Sequence, residues 1–229
     1  CRILFRLYQR DYRYKSANSP EDSLITALHP GNTDTALTTR EKVELLQQWV
    51  LEDPAHGERL ALRILEEHVV GVSQHSGRRR RSAWRKLSDG EYTEAVEAIA
   101  ELCYRSAVDR RDENTLVKLI DNSRAFPSAC VQRMACAFPA DSFAADSLAR
   151  INYHLRKQQY DRQRYGKDSQ SAYIRALDLW ISQTNDAALP YRWRFFGYFQ
   201  CPDERLLAME RRGDDSERET TAIRLEALR

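Results

Sequence analysis

Glycine and proline are scarce in this chain of 229 residues, which contains only eight glycines and seven prolines. β-Sandwiches and small barrels place a turn roughly every 8 to 12 residues, and such turns are rich in these two residue types. No segment alternates apolar and polar residues with the period of two that a half-buried strand requires. The sequence therefore predicts an all-α protein.

A long apolar run and a secretory signal are also missing. A helix that crosses a bilayer needs ~20 mainly apolar residues, and no stretch of this chain approaches that length. The five cysteines are odd in number and show no paired spacing, so they do not form a disulfide framework. We therefore expect a soluble protein of a reducing, cytoplasmic compartment, with no membrane partner.

Charge of one sign is not in excess, because 36 lysines and arginines face 34 aspartates and glutamates. A near-neutral chain has no global field that would steer it to nucleic acid or to a membrane surface. With 42% hydrophobic residues, the chain is too apolar to be disordered. It should fold around a core, and any electrostatic function must be local.

Signatures of catalysis and of metal binding are absent. The sequence has no GxSxG motif and no glycine-rich turn before a Lys-Ser or Lys-Thr pair. Its five histidines form no HxxxH or HExxH pair, and Cys130 and Cys136 lie further apart than zinc-binding cysteines usually do. We expect no catalytic residue, no metal and no cofactor; a hydrolase hidden among the many carboxylates is a third hypothesis.

Apolar residues recur at helical spacing along the chain. Ile3, Leu4, Leu7 and Tyr8 predict a first helix with these side chains on its core face. Thr38, followed three residues later by Glu41, fits a capping box that opens a strong helix. The apolar face of that helix carries Val43, Leu46 and Val50, and it ends at Asp53-Pro54 before another helix at 57–70.

Further helices are predicted at 91–108, from Asp112 or Glu113, and from Pro127. They form hairpins of roughly 35 to 45 residues, the size of a HEAT-type or related repeat. The predicted architecture is an irregular α-α superhelix of HEAT- or TPR-like hairpins, with a compact helical bundle as the alternative. We expect one domain over 1–229, a fragment of a larger chain, with a basic loop at 71–90 between two helical halves.

The basic loop is the first candidate for function. It carries six cations and one aromatic ring within nine residues: Arg78, Arg79, Arg80, Arg81, Trp84, Arg85 and Lys86. Phosphate contacts with base stacking would use this combination. A solvated loop, a contact to another domain or protein, and a nucleic-acid contact all fit the pattern.

An aromatic segment, LPYRWRFFGYF, is the second candidate. Arg192 and Arg194 alternate in the sequence with its aromatic residues, among them Trp193. Tryptophan, tyrosine and arginine dominate the energetics of protein interfaces. The segment is either a tightly packed connection or an anchor for a partner.

Three blocks together resemble the helical-repeat region of large bacterial STAND-type or related NTPases that have effector and sensor arms. They are TREKVELLQQWVLEDP, SQHSGRRRRSAWRKL and GEYTEAVEAIAELC, and the tail LPYRWRFFGYF looks similar too. The resemblance extends over 38–229, although its arginine run is more basic than the family pattern. It implies a superhelical arm that senses a ligand, contacts neighbouring domains or oligomerises, with the nucleotide site elsewhere.

The leading hypothesis is therefore a non-catalytic helical scaffold that binds a protein or other domains of its parent chain. The alternative is a nucleic-acid-binding helical module that uses Arg78 to Lys86 together with Arg192 to Arg194.

Overall fold

The computed structural model describes residues 1–10, 19–32, 35–70, 88–165 and 171–188. These residues form α-helices and two short 3-10 turns and contain no β-strand, which confirms the all-α prediction. The helices are α1 (Arg2–Gln9), α2 (Pro20–Leu28), α3 (Thr39–Glu52), α4 (Pro54–Val70), α5 (Asp89–Arg110), α6 (Glu113–Asn122), α7 (Ser128–Cys136), α8 (Ala145–Tyr165) and α9 (Ser171–Ala188). Their arrangement as a superhelix stays a prediction.

The chain divides into two compact units, Cys1–Arg110 and Arg111–Arg229. The helices on either side of the basic loop, α4 and α5, pack against each other within the first unit. Residues 89 and 90, which the sequence assigned to that loop, belong to the first turn of α5. The prediction of a single domain over 1–229 stays a prediction.

The core of the first unit forms around a hairpin of α3 and α4. The helices α3 and α4 pack against each other, and Leu46 and Trp49 on α3 and Leu60 and Leu65 on α4 are all buried. The ring of Phe5 on α1 stacks on Trp49, with the two ring centroids 4.2 Å apart. Burying each of these side chains contributes roughly 1.5 to 3 kcal/mol, so apolar packing holds the three helices together.

The turn of this hairpin is very tight. The helix α4 begins at Pro54, earlier than the predicted start at Gly57, because proline is well suited to the first helical turn. Gly57 lies directly against the backbone of α3: a Cβ atom added there would be 2.6 Å from the amide nitrogen of Val50. Only a residue without a side chain allows the two helices to approach so closely.

The helix α1 forms where predicted, but its core face is different. Phe5 and Tyr8 are buried, whereas Ile3 is 77% exposed and Leu7 is also exposed. The prediction that Ile3 and Leu7 face the core is therefore wrong. The two aromatic residues, three positions apart, provide a larger apolar surface, and their side of the helix packs inward.

The second unit is built around contacts of α9 with α7 and α8. The carboxylate of Asp112 caps α6 as predicted, accepting hydrogen bonds from the amides of Asn114 (3.0 Å) and Thr115 (3.3 Å). Trp180 of α9 is buried. Asn152 of α8 donates a 2.9 Å hydrogen bond to the hydroxyl of Thr184, so these buried polar groups satisfy each other across the helix pair.

Candidate functional site

All of the site residues predicted from the sequence lie outside the described residues. They are Arg78, Arg79, Arg80, Arg81, Trp84, Arg85, Lys86, Arg192, Trp193 and Arg194. Their proposed contacts to a partner or to nucleic acid therefore stay predictions.

The candidate site that the structure does describe is an open groove between α3 and α5, with a volume of about 570 Å3. It belongs entirely to the first unit. We call it the α3–α5 groove, and its walls are formed by Thr38, Thr39, Arg40, Val43, Glu44, Gln47, Glu91, Glu94, Ala95 and Ala98.

Local sequence explains why both walls are regular helices at this point. The side chains of Thr38 and Glu41 satisfy each other's backbone amides, which confirms the predicted capping box. Ser88 and Glu91 form the equivalent pair before α5, where the Ser88 amide donates to Glu91 over 3.1 Å and the Glu91 amide donates back over 3.2 Å. Each box satisfies two amides that would otherwise lack an intrahelical partner, so both helices start sharply beside the groove.

The floor of the groove is apolar and is formed by short side chains. Val43 of α3 and Ala95 of α5 are buried, and Ala98 is partly exposed one turn further along α5. Alanine has no atoms beyond Cβ, so the backbone of α5 is approachable from outside at Ala98, the partly exposed one of the two. The groove can therefore accept side chains from another molecule.

The rim of the groove is acidic. Glu44 lies on the α3 wall, and Glu91 and Glu94 lie on the α5 wall. Arg40 is the one basic residue of the lining, and its Nε donates to the carboxylate of Glu44 over 2.8 Å. Both side chains of that pair are well exposed, so it contributes little stability. Three glutamates against one arginine leave the lining with an excess of two negative charges.

Lys42, which precedes Val43 of the groove wall in the sequence, is buried and makes structural hydrogen bonds. Its Nζ donates to the carbonyl of His29 over 3.1 Å and to the carbonyl of Asn32. Removal from water lowers the pKa of Lys42 from its ordinary value to about 8. The ammonium group thus holds the turn after α2 and does not face the groove.

Glu58 and Cys103 form a second buried polar group, between α4 and α5. The carboxylate of Glu58 accepts hydrogen bonds from Ser106 and Arg110. Burial, with a contribution from the nearby Glu58 charge, raises the pKa of the Cys103 thiol far above its usual range. A thiol that stays protonated is a poor nucleophile, and the hydrogen bonds of Glu58 join α4 to α5.

Two imidazole–carboxylate pairs are present among the residues that the structure describes. The Nδ1 atom of His56 lies 2.9 Å from Asp53, and that of His154 lies 2.9 Å from Asp121. Burial raises the pKa of Asp53, but hydrogen bonds from His56 and Gln9 outweigh it and hold the value below the usual range. Within the described ranges, neither imidazole is bonded to a serine, threonine or cysteine that could act as a nucleophile.

The described part of the chain contains no group of three or more metal-ligating side chains. No helix among the residues described is long and apolar enough to cross a membrane. The sequence did not reveal the α3–α5 groove, because its two walls come from separate parts of the chain. The signal that could have revealed it is Ala95 and Ala98, two small residues interrupting the acidic face of α5.

Comparison with known proteins provides no assignment: no protein-family model, no curated protein and no solved structure matches this chain.

Proposed function

We propose that this chain is a non-catalytic helical scaffold that binds a protein partner or other domains of its parent protein. The observation that carries the proposal is the α3–α5 groove, which combines an apolar floor with charged walls. Grooves between helices are a common docking site for partner segments. The buried charged groups of Lys42 and Glu58, by contrast, are engaged in contacts with a turn and with a neighbouring helix.

The resemblance to the helical-repeat region of STAND-type NTPases supports a more specific role within this proposal. The chain would act as a sensor or connecting arm of a larger bacterial NTPase in the cytoplasm. Solenoid arms of that kind present extended surfaces to their partners. The nucleotide would then be bound by a different part of the parent protein.

Quantitative affinity capture from the cells that produce the chain tests the scaffold function. Three forms are compared: the wild-type chain, A98W, which fills the groove, and A55W, which adds the same ring at an exposed position on α4. We expect partners that the wild-type chain and A55W retain and A98W loses. If A98W recovers every protein that the wild-type chain recovers, the groove is not the partner surface.

Binding of nucleic acid through the basic loop is the second candidate function, favoured by Trp84 among the cations of Arg78 to Lys86. Each neutralised phosphate would make the affinity fall as salt rises. Titration of labelled single- and double-stranded DNA and RNA at low salt measures this directly. Salt-dependent binding that is lost when Arg78, Arg79, Arg80 and Arg81 become alanine would support it, and no binding at low salt would eliminate it.

A further inference from the structure

We propose that the α3–α5 groove binds one face of a basic amphipathic helix supplied by a protein partner. The inference rests on the proposed scaffold function and adds the chemistry of the partner. The length of the groove along α3, the sign of its charge and the distribution of that charge over both walls support the proposal.

The shape of the groove suits a helix. Its α3 wall runs from Thr39 to Gln47, which is about 12 Å of helix at 1.5 Å per residue. An amphipathic helix presents apolar side chains at positions i, i+3, i+4 and i+7, and two or three of them would span this length. Val43, Ala95 and Ala98 are the apolar residues of the lining, and Ala98, which is partly exposed, provides the surface that these side chains can contact.

The charge of the groove selects a basic partner. Carboxylates stand on both walls, with Glu44 on α3 and Glu94 on α5, so cations on either flank of a bound helix would meet one. Complementary charges raise the association rate and suppress partners of the wrong sign. The acidic rim repels negatively charged partners, which include an acidic helix, a nucleic acid and an anionic membrane surface.

The two glutamates best suited to a test are Glu44 and Glu94. Glu91 is unsuitable because its carboxylate caps α5 through Ser88. Among the described residues, Glu94 makes no ion pair and Glu44 is engaged only in an exposed pair with Arg40. Reversing both charges should therefore change the rim without breaking either capping box.

The experiment is a fluorescence anisotropy titration of the full chain with a labelled helical peptide of about 20 residues, long enough to be helical in solution. The probe has leucine at i, i+4, i+7 and i+11 and arginine or lysine on the flanks. A second peptide keeps the leucines but carries glutamate in place of every cation. The variant E44K/E94K is compared with E52K/D109K, which reverses two exposed acidic residues on the same two helices outside the groove.

We expect the basic peptide to bind the wild-type chain and E52K/D109K equally, and to bind E44K/E94K at least about tenfold more weakly. A98W should also weaken binding, and the acidic peptide should not bind. Equal loss in the two double variants, or equal binding of both peptides, would overturn the proposal. If no basic peptide binds while A98W still loses partners in affinity capture, the partner chemistry is wrong and the scaffold function stands.

Discussion

At the scale of single residues, the most unusual side chain is Lys42. Lysine is almost never fully buried unless it is paired with a charge, yet Lys42 is 1% exposed and donates to two backbone carbonyls. Carbonyl oxygens only partly replace the hydration of an ammonium ion. The folded state therefore favours the neutral form of this amine more than the unfolded state does.

This burial predicts a specific pH dependence of stability. Because the pKa of Lys42 is about 8 in the folded chain and 10.5 otherwise, the unfolded state binds more protons between these values. The free energy of unfolding should therefore gain a contribution as pH rises from 8 to 10.5, with a slope of up to about 1.4 kcal/mol per pH unit. The contribution is lost again as pH falls through 8.

Chemical denaturation of the wild-type chain and of K42M across this pH range isolates the effect. Other titrating groups act on both proteins, so only the difference between the two curves reports on Lys42. The difference should change steadily between pH 8 and 10.5 and be flat below 7. A difference that does not vary with pH would contradict the assignment.

Tyr173 in the second unit provides another residue-scale prediction. Its hydroxyl lies 2.7 Å from the hydroxyl of Ser123, which donates to the carbonyl of Ile120 over 2.6 Å. Ser123 therefore accepts from Tyr173, and Y173F should lower the free energy of unfolding by about 1 kcal/mol. A double-mutant cycle with S123A, followed by denaturant unfolding, should show coupling of similar size. Strictly additive effects would show that the two hydroxyls do not interact.

At the scale of helices, α3 and α4 approach each other closely at Gly57. A Cβ atom at this position would meet three backbone atoms of Trp49 and Val50 at 2.6 to 2.7 Å, and backbone cannot rotate away as a side chain can. G57A should therefore separate α3 from α4 and lower the free energy of unfolding by at least about 2 kcal/mol. Thermal or denaturant unfolding of G57A and of the wild-type chain measures this loss of stability.

The same substitution at Gly90 is the matched control. Gly90 lies in the first turn of α5, and the nearest atom to an added Cβ is the Ser88 hydroxyl at 3.9 Å. Alanine fits there and costs less backbone entropy, so G90A should raise stability by up to about 1 kcal/mol. If G57A were as well tolerated as G90A, the tight packing of the hairpin would be wrong.

Local signals in the sequence predicted local structure well. The capping box of Thr38 and Glu41 and the cap at Asp112 depend on residues only a few positions apart, and both are confirmed. The core face of α1 was mispredicted because Ile3 and Leu7 share a helical spacing as regular as that of Phe5 and Tyr8. The side of α1 that faces inward is set by the stacking of Phe5 on Trp49, which is distant in the sequence.

The α3–α5 groove could not be predicted for the same reason. Its walls come from residues 38–47 and 91–98, and only the packing of α3 against α5 brings them together. Lys42 was equally hidden, because a lysine beside Glu41 has the sequence pattern of a surface residue. The basic segment was conspicuous in the sequence because its charge is contiguous, whereas the groove divides its charge between two helices.

At the scale of the whole molecule, buried tyrosines predict instability in alkali. Burial raises the pKa of Tyr8 to about 12, and it also raises the pKa values of Tyr104 and Tyr173. Because the pKa of each buried tyrosine is higher in the folded chain than in the unfolded chain, its contribution to stability is complete below the ordinary pKa of 10. That contribution is lost as pH rises through the pKa of the folded state. The free energy of unfolding should therefore fall steeply above about pH 10.

Ultraviolet absorbance reports this transition, because tyrosinate absorbs at longer wavelength than tyrosine. Ionisation of these buried tyrosines should coincide with the loss of helical circular dichroism. The exposed tyrosines should titrate first. If all tyrosines titrated near pH 10 while the helices persisted, the buried rings would have to be accessible in the folded state.

Hydrogen–deuterium exchange of the full chain with and without the basic peptide tests most directly whether the α3–α5 groove is a docking surface for a basic helix. We expect slower exchange at 39–47 of α3 and 91–98 of α5, with no comparable change in α6 to α9. We also expect E44K/E94K to abolish this protection. Protection elsewhere in the chain, or none at saturating peptide, would contradict the proposal.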